Sequence, residues 1–166
     1  AVRLAESGGM HVPSALAAGL RQRFGASILP VWGSTETTGV ALANRPGDAY
    51  APCCLGRPVP GYDVAVTRED GSPCDPGEPG ELVISGPGVC PGYFGEEPRP
   101  EFRLYGGRFR TGDEVFHDGD GRFFFAGRQS MLLKVGGMKV FPVEIEEALR
   151  QHPDVAVALL DVVMET

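Results

Sequence analysis

The stretch PSALAAGLRQRFGASILPVWGSTETTGV, residues 13 to 40, decides the fold class. Pro13 to Phe24 predicts a helix: proline suits the first helical turn, Leu16, Leu20 and Phe24 share one face, and Gly25 follows as a stop signal. Ile28 to Trp32 then reads as a short apolar strand, and the helix-to-strand step belongs to α/β architecture. The next residues, Gly33, Ser34, Thr35, Glu36, Thr37 and Thr38, carry no apolar periodicity. One carboxylate among hydroxyls at a strand end suits a ligand that brings phosphate and a metal ion. Trp32 could stack on a planar base, Thr35 could donate to a phosphate oxygen, and Glu36 could hold Mg²⁺, a hard cation that prefers oxygen. The same letters also suit a buried tryptophan followed by a capped turn.

Upstream, SGGMHVP (7 to 13) places Gly8 and Gly9 before the helix, where bare backbone can approach a ligand and free N–H groups favour anions. A plain turn has the same composition. Downstream, Asn44 to Gly61 is rich in proline and glycine and reads as a passage between subdomains. Short strands follow at Tyr62–Thr67, Glu81–Ser85, Arg108–Thr111, Glu114–His117 and Arg122–Ala126, with DGDG (118 to 121) as a hairpin turn. Such a series predicts a small β-barrel or sandwich. Within it RTGDEV (110 to 115) sets Asp113 after Gly112 as an exposed carboxylate at a strand end, able to accept both hydroxyls of a ribose. An ordinary Thr-Gly-Asp turn is the alternative.

Arg128 follows a glycine at a strand end, where its guanidinium could grip phosphate or ribose oxygens bidentately. Leu132–Val135 and Lys139–Phe141 flank Gly136-Gly137 as a hairpin and contain the two lysines of the chain, Lys134 and Lys139. Pro142 to Gln151 reads as an amphipathic helix, with Glu144, Glu146 and Glu147 as a solvated face, and Val155 to Val163 as a buried strand. Phe123, Phe124 and Phe125 read as core and edge packing.

The totals bound the function. A chain of 166 residues, 42% hydrophobic and 22% charged, is globular and makes one ordinary domain or two small ones. A net charge of −7 argues against nucleic-acid and anionic-membrane partners, which need a basic face. No apolar run approaches the ~18 residues of a membrane span, and a cytoplasmic location is the default. Cys53, Cys54, Cys74 and Cys90 have neither zinc spacing nor an evident disulfide pattern and read as reduced thiols. The chain opens without methionine and stops soon after an apolar run, which suggests a fragment.

Taken in order, these motifs resemble the adenylate-forming superfamily of acyl-CoA synthetases, luciferases and peptide-synthetase adenylation domains. The resemblance rests on SGG before a helix, W-G-S-T-E (32 to 36), G-R-P-x-P-G-Y (56 to 62), G-E-L-x-I-S-G-P (80 to 87), G-Y (92 to 93), T-G-D (111 to 113) and the run from Gly127 to Glu146. It implies ATP, Mg²⁺ and coenzyme A, with a small carboxylic acid converted to acyl-AMP and then to a thioester. It also implies roles: Trp32 on adenine where tyrosine is more usual, Thr35 on the α-phosphate, Glu36 on magnesium, Asp113 on the ribose hydroxyls and Arg128 on ribose or phosphate. Gly8 and Gly9 would line the acyl and adenine pocket, Gly33 and Ser34 belong to the nucleotide motif, and Lys134 falls where the thioester-forming conformation is served. Ser130 stands at the hinge, where the family usually has Asp or Lys.

The implied fold is a partial adenylate-forming enzyme: the end of an α/β part (1–52), a β-barrel-like subdomain (53–127) and the start of a small α+β domain (128–166). The family's phosphate loop is expected upstream of Ser7 and its late catalytic lysine downstream of Thr166, so the isolated chain is expected to be inactive and to expose faces that favour dimers. K-V-G-G-M-K-V-F-P (134 to 142) resembles CoA ligases more than carrier-loading adenylation domains. A carrier-protein acceptor and a non-catalytic nucleotide-binding or assembly module are the other readings.

Overall fold

A computed structural model describes residues 3–9, 12–95, 103–131, 133–135 and 138–160, with the backbone alone at 103, 134, 135, 138, 139 and 144. The chain opens with β1 (Leu4–Gly8), α1 (Ser14–Phe24) and β2 (Ser27–Ser34). β1 and β2 pair in parallel, from Leu4 opposite Ser27 to Gly8 opposite Val31, so α1 is the crossover that a parallel pair requires. Gly25, at φ 65°, closes α1 by donating its N–H to the Arg21 carbonyl. The shared face is buried only in part. Leu16 and Phe24 are 51% and 58% exposed, and the helix instead buries the small Ala17, with Leu20 against the cluster of Val12 and Ile28. A small contact residue lets the helix axis lie close to the strands, and that turns its larger side chains outward.

The rest of the sheet is antiparallel. β3 (Gly39–Ala43) returns along β2, and β4 (Cys54–Pro58) pairs with β3 through Leu42–Pro58 and Ala43–Arg57. Beyond β4 come β9 (Phe123–Arg128), β8 (Arg108–His117), β6 (Gly80–Ser85) and β5 (Asp63–Thr67), with β7 (Arg103–Tyr105) beside the start of β8. The proline- and glycine-rich passage therefore contains a strand, and the sheet runs unbroken across residue 53. Gly56 makes this possible: a Cβ there would overlap the Ala43 backbone. The core lies under β3, β5, β6 and β8, where Leu42, Leu82, Ile84 and Val115 are fully buried.

The two strands expected at 108–111 and 114–117 are one, β8, with Gly112 at φ 75° inside it. After a 3-10 turn at Gln129–Met131, β10 (Leu133–Val135) and β11 (Met138–Val140) form an antiparallel hairpin, and Gly136-Gly137 lies outside the described residues. α2 (Pro142–Arg150) then packs on β9, where the Phe141 ring covers the bare backbone of Gly127. Glu146 and Glu147 are not a free solvated face, because Arg150 pairs with them at 3.1 and 3.2 Å. The side chain of Glu144 lies outside the described residues. The buried strand expected from Val155 is absent over 155–160, where Val157 and Leu159 are 71% and 83% exposed, and 161–163 lie outside the described residues.

Candidate functional site

Where β2, β8 and β9 meet, a pocket of about 160 Å³ opens, walled by Gly9, Trp32, Gly33, Tyr50, Asp113 and Arg128 among others. Its shape starts with a pinch. The register of β2 against β3 shifts between Trp32 and Gly33, and a Cβ on Gly33 would overlap the Gly39 carbonyl. Only glycine lets the two backbones approach so closely, and the bulge aims Trp32 across the sheet toward β8.

Trp32 Nε1–H donates to Asp113 Oδ2 at 2.8 Å. Asp113 sits opposite Arg128 in the β8–β9 ladder, and Arg128 Nε lies 2.8 Å from Oδ1. Oδ1 is buried, and Arg128 is the group that reaches it, as an ion pair that favours the charged acid.

Asp113 is therefore not the exposed strand-end carboxylate expected from sequence. It is 2% exposed and lies within β8, because Gly112 takes up the turn-like conformation as a kink inside a continuous strand. Three hydrogen bonds hold the kink. The Asp113 N–H reaches Thr111 Oγ1 at 3.0 Å, Thr111 Oγ1–H reaches the Leu82 carbonyl at 3.0 Å, and the Gly112 N–H reaches Glu81 Oε1 at 3.1 Å. Glu81 is itself buried and paired with Arg110, whose Nε is 2.7 Å from Oε2. Burial pushes the Asp113 carboxyl above its ordinary range, with the Glu81 charge adding to the rise; the Trp32 bond and Arg128 oppose this without cancelling it.

The hydroxyl-rich turn projects from the end of β2. Thr37 is fully buried, and its Oγ1 accepts the Ser34 N–H at 3.0 Å and lies 2.7 Å from the Gly39 carbonyl. A second segment is strapped to this turn: Thr38 Oγ1–H reaches the Gly88 carbonyl at 2.6 Å, and the Cys90 N–H reaches the Glu36 carbonyl at 2.8 Å. The Tyr62 hydroxyl donates to the Thr37 carbonyl and the Tyr93 hydroxyl to Glu36 Oε1. Thr35 stays exposed and Glu36 half-buried. Burial alone would raise the Glu36 carboxyl. Hydrogen bonds from Tyr93, its own backbone and Ser34, with the field of Arg128, outweigh it and hold the group below its ordinary range. Arg128 thus faces both acids.

Among the described residues no group of three or more His, Cys, Asp and Glu could hold a metal. Glu36, an ionised carboxylate among hydroxyls, fits Mg²⁺ held in the usual way by one or two carboxylates together with substrate phosphates.

The structure brings five of the sequence-predicted residues into one pocket: Gly9, Trp32, Gly33, Asp113 and Arg128. Ser34 ends β2 and Thr35 and Glu36 lie on the turn beyond it. Gly8 closes β1, where a Cβ would stand 3.1 Å from Val31 Cγ2. Ser130 lies exposed in the 3-10 turn. Lys134 is a residue of β10, and its side chain lies outside the described residues. Tyr50, Cys53, Cys54 and Leu55 also line the pocket, all from the segment read as a passage; the aromatic Tyr50 within it was the available signal. Phe125 lines the pocket too, whereas Phe123 is core and Phe124 stacks on Phe116 at 5.1 Å. All four cysteines are free thiols.

The chain is similar to known proteins over most of its length. The profile of the AMP-binding enzyme family matches residues 1–94. The anthranilate–CoA ligase of Pseudomonas aeruginosa is 37% identical over 96% of this chain and 31% of its own length. The benzoate–CoA ligase of Thauera aromatica is 36% identical over 91% of this chain and 29% of its own. Among solved structures, the anthranilate CoA ligase AuaEII in complex with anthranoyl-AMP superposes with a TM-score of 0.84 at 34% identity, over 93% of this chain and 30% of that one. The o-succinylbenzoate CoA synthetase of Bacillus subtilis in complex with ATP and magnesium gives 0.82 at 30% identity, over 93% and 32%. The chain spans about three tenths of the length of these relatives, and none of its described helices is long and apolar enough to cross a membrane. Motif order, pocket and relatives converge: the chain belongs to the AMP-binding enzyme family, within the adenylate-forming superfamily.

Proposed function

We propose that the chain supplies the adenosine- and magnesium-facing side of the active site of a carboxylate–CoA ligase. The observation that carries this reading is Asp113, a buried carboxylate with Trp32 on one oxygen and Arg128 on the other, at the wall of the pocket that all three line. A ribose hydroxyl is the donor it accepts, with adenine against Trp32 and the backbone of Gly9 and Gly33. Thr35 and Ser34 face the α-phosphate, Arg128 reaches ribose or phosphate oxygens, and Glu36 holds Mg²⁺, which neutralises charge on the phosphoryl oxygens. Gly8 keeps β1 close to β2 behind the pocket. Lys134 serves the thioester-forming step, and Ser130 lies at the hinge.

In the reaction, a carboxylate oxygen bonds to the α-phosphorus of ATP as the bond to pyrophosphate breaks, giving acyl-AMP. The thiolate sulfur of coenzyme A then bonds to the acyl carbon, and AMP leaves. In this reading residues 1–52 end the α/β part, 53–127 form the β subdomain and 128–166 begin the small domain. The location is cytoplasmic. The exposed Leu4, Leu16 and Phe24 support self-association of the isolated chain.

Calorimetric titration of the purified chain with AMP, alongside an assay for carboxylate-dependent pyrophosphate release, tests the proposal. Binding of AMP that is lost in Asp113→Ala, with no pyrophosphate released, is expected. Binding indifferent to Asp113 overturns the site. Pyrophosphate release overturns the view that this chain alone is inactive.

A further inference from the structure

The pocket has two ends. At one, Asp113 and Arg128 face each other across β8 and β9. At the other, Gly9, Val12 and Tyr50 stand beside β1 and the start of α1. Trp32 joins the two, because its strand pairs with β1 and its indole reaches Asp113. Tyr50 comes from the proline- and glycine-rich passage and belongs to none of the motifs, yet it is fixed in place twice. Its ring packs against the buried Val12, Ala17 and Ile28 beneath α1, and its hydroxyl donates to the Val12 carbonyl. A ring tied on both counts is a wall and not a side chain free to swing aside.

We infer that Tyr50 is a specificity-determining residue whose ring closes the base end of the pocket and excludes purines enlarged on the edge away from the ribose. The inference rests on the AMP-site reading above. With the ribose at Asp113 and the base against Trp32, the purine edge opposite the glycosidic bond points toward Tyr50. That edge carries the exocyclic amine. In a cavity of about 160 Å³, a bulky group on the amine meets the Tyr50 ring, and overfilling a packed site is destabilising.

The test is calorimetric titration of the chain with AMP and with AMP benzylated on its exocyclic amine. In the unaltered chain the benzylated nucleotide should bind roughly tenfold or more weakly than AMP. Tyr50→Ala should bring the two within about threefold of each other. Tyr50→Phe keeps the ring and drops the hydroxyl, so it should keep the gap. The ratio is the readout because a general loosening of the fold weakens both nucleotides alike. Tyr50→Leu still fills the cluster beneath α1 but has no ring; it should narrow the gap in the same way and replaces the alanine variant if that does not fold. Equal affinities in the unaltered chain, or a gap unchanged in Tyr50→Leu, overturn the inference while leaving the AMP site in place. No binding of AMP at all overturns the site reading and this inference together.

Discussion

Asp113 and Glu36 lie in the field of the same arginine, Arg128, yet their carboxyls move in opposite directions: Asp113 above its ordinary range, Glu36 below. The difference is one of mounting. Asp113 is enclosed by three strands, β2, β8 and β9, and its dominant influence is lost hydration. Glu36 stands on a turn, keeps much of its water, and gathers hydrogen bonds that favour its charged form. One acid is held in a dry place between an indole N–H and a guanidinium. The other is held in its charged form, the state that the proposed magnesium role requires.

The largest way to break this contrast is to remove the mount of Asp113 alone. Arg110→Ala leaves Glu81 buried without its cation and should cost about 3–5 kcal/mol in urea unfolding, while the turn bearing Glu36 keeps its contacts. A wild-type midpoint would mean that the kink does not depend on this pair. The matching change on the other side is Thr37→Val, which removes the buried hydroxyl that pins the turn and should cost about 1–3 kcal/mol. It should weaken Mn²⁺ binding, read by paramagnetic resonance in the presence of ATP, more than it weakens AMP binding.

The pH dependence of stability sharpens the comparison further. Asp113 holds its proton to higher pH when folded, so stability is lost as pH rises from its unfolded value through its folded one, and Asp113→Asn should abolish that loss. Glu36 is lowered, so its stabilisation is present above its unfolded value and disappears as pH falls through the folded one; Glu36→Gln should flatten that acid limb. Thermal melts across this range would show two slopes of opposite sign, and slopes of one sign would contradict the mounting argument. The smallest effect belongs to Tyr93→Phe. It should raise the Glu36 carboxyl toward its ordinary range by carbon-detected NMR and change stability by less than about 1 kcal/mol.

The chemistry-bearing letters were legible, and their mountings less so. Trp32, Asp113 and Arg128 lie far apart in sequence and meet in one pocket, which their motifs anticipated. The burial of Asp113 was hidden because Thr-Gly-Asp has the composition of a turn, and a left-handed glycine serves a kink within a strand equally well. Among the hydroxyls from Ser34 to Thr38, composition cannot tell the buried pin Thr37 from the exposed Thr35. Strand β4 escaped notice because Gly56 and Pro58 weigh against a strand locally, while the close approach to Ala43 favours it only once β3 is in place. Leu16 and Phe24 satisfied helical periodicity, but the face that packs on β2 is chosen by Ala17, a residue that carries little periodic signal.

The contact between Phe141 and Gly127 has a mechanical consequence. A ring resting on bare backbone has no preferred direction along the surface and no charge to neutralise. The attachment of the β10–β11–α2 unit at this point therefore depends on contact area. This contact should be indifferent to ionic strength and yield smoothly to cosolvents that wet apolar surface.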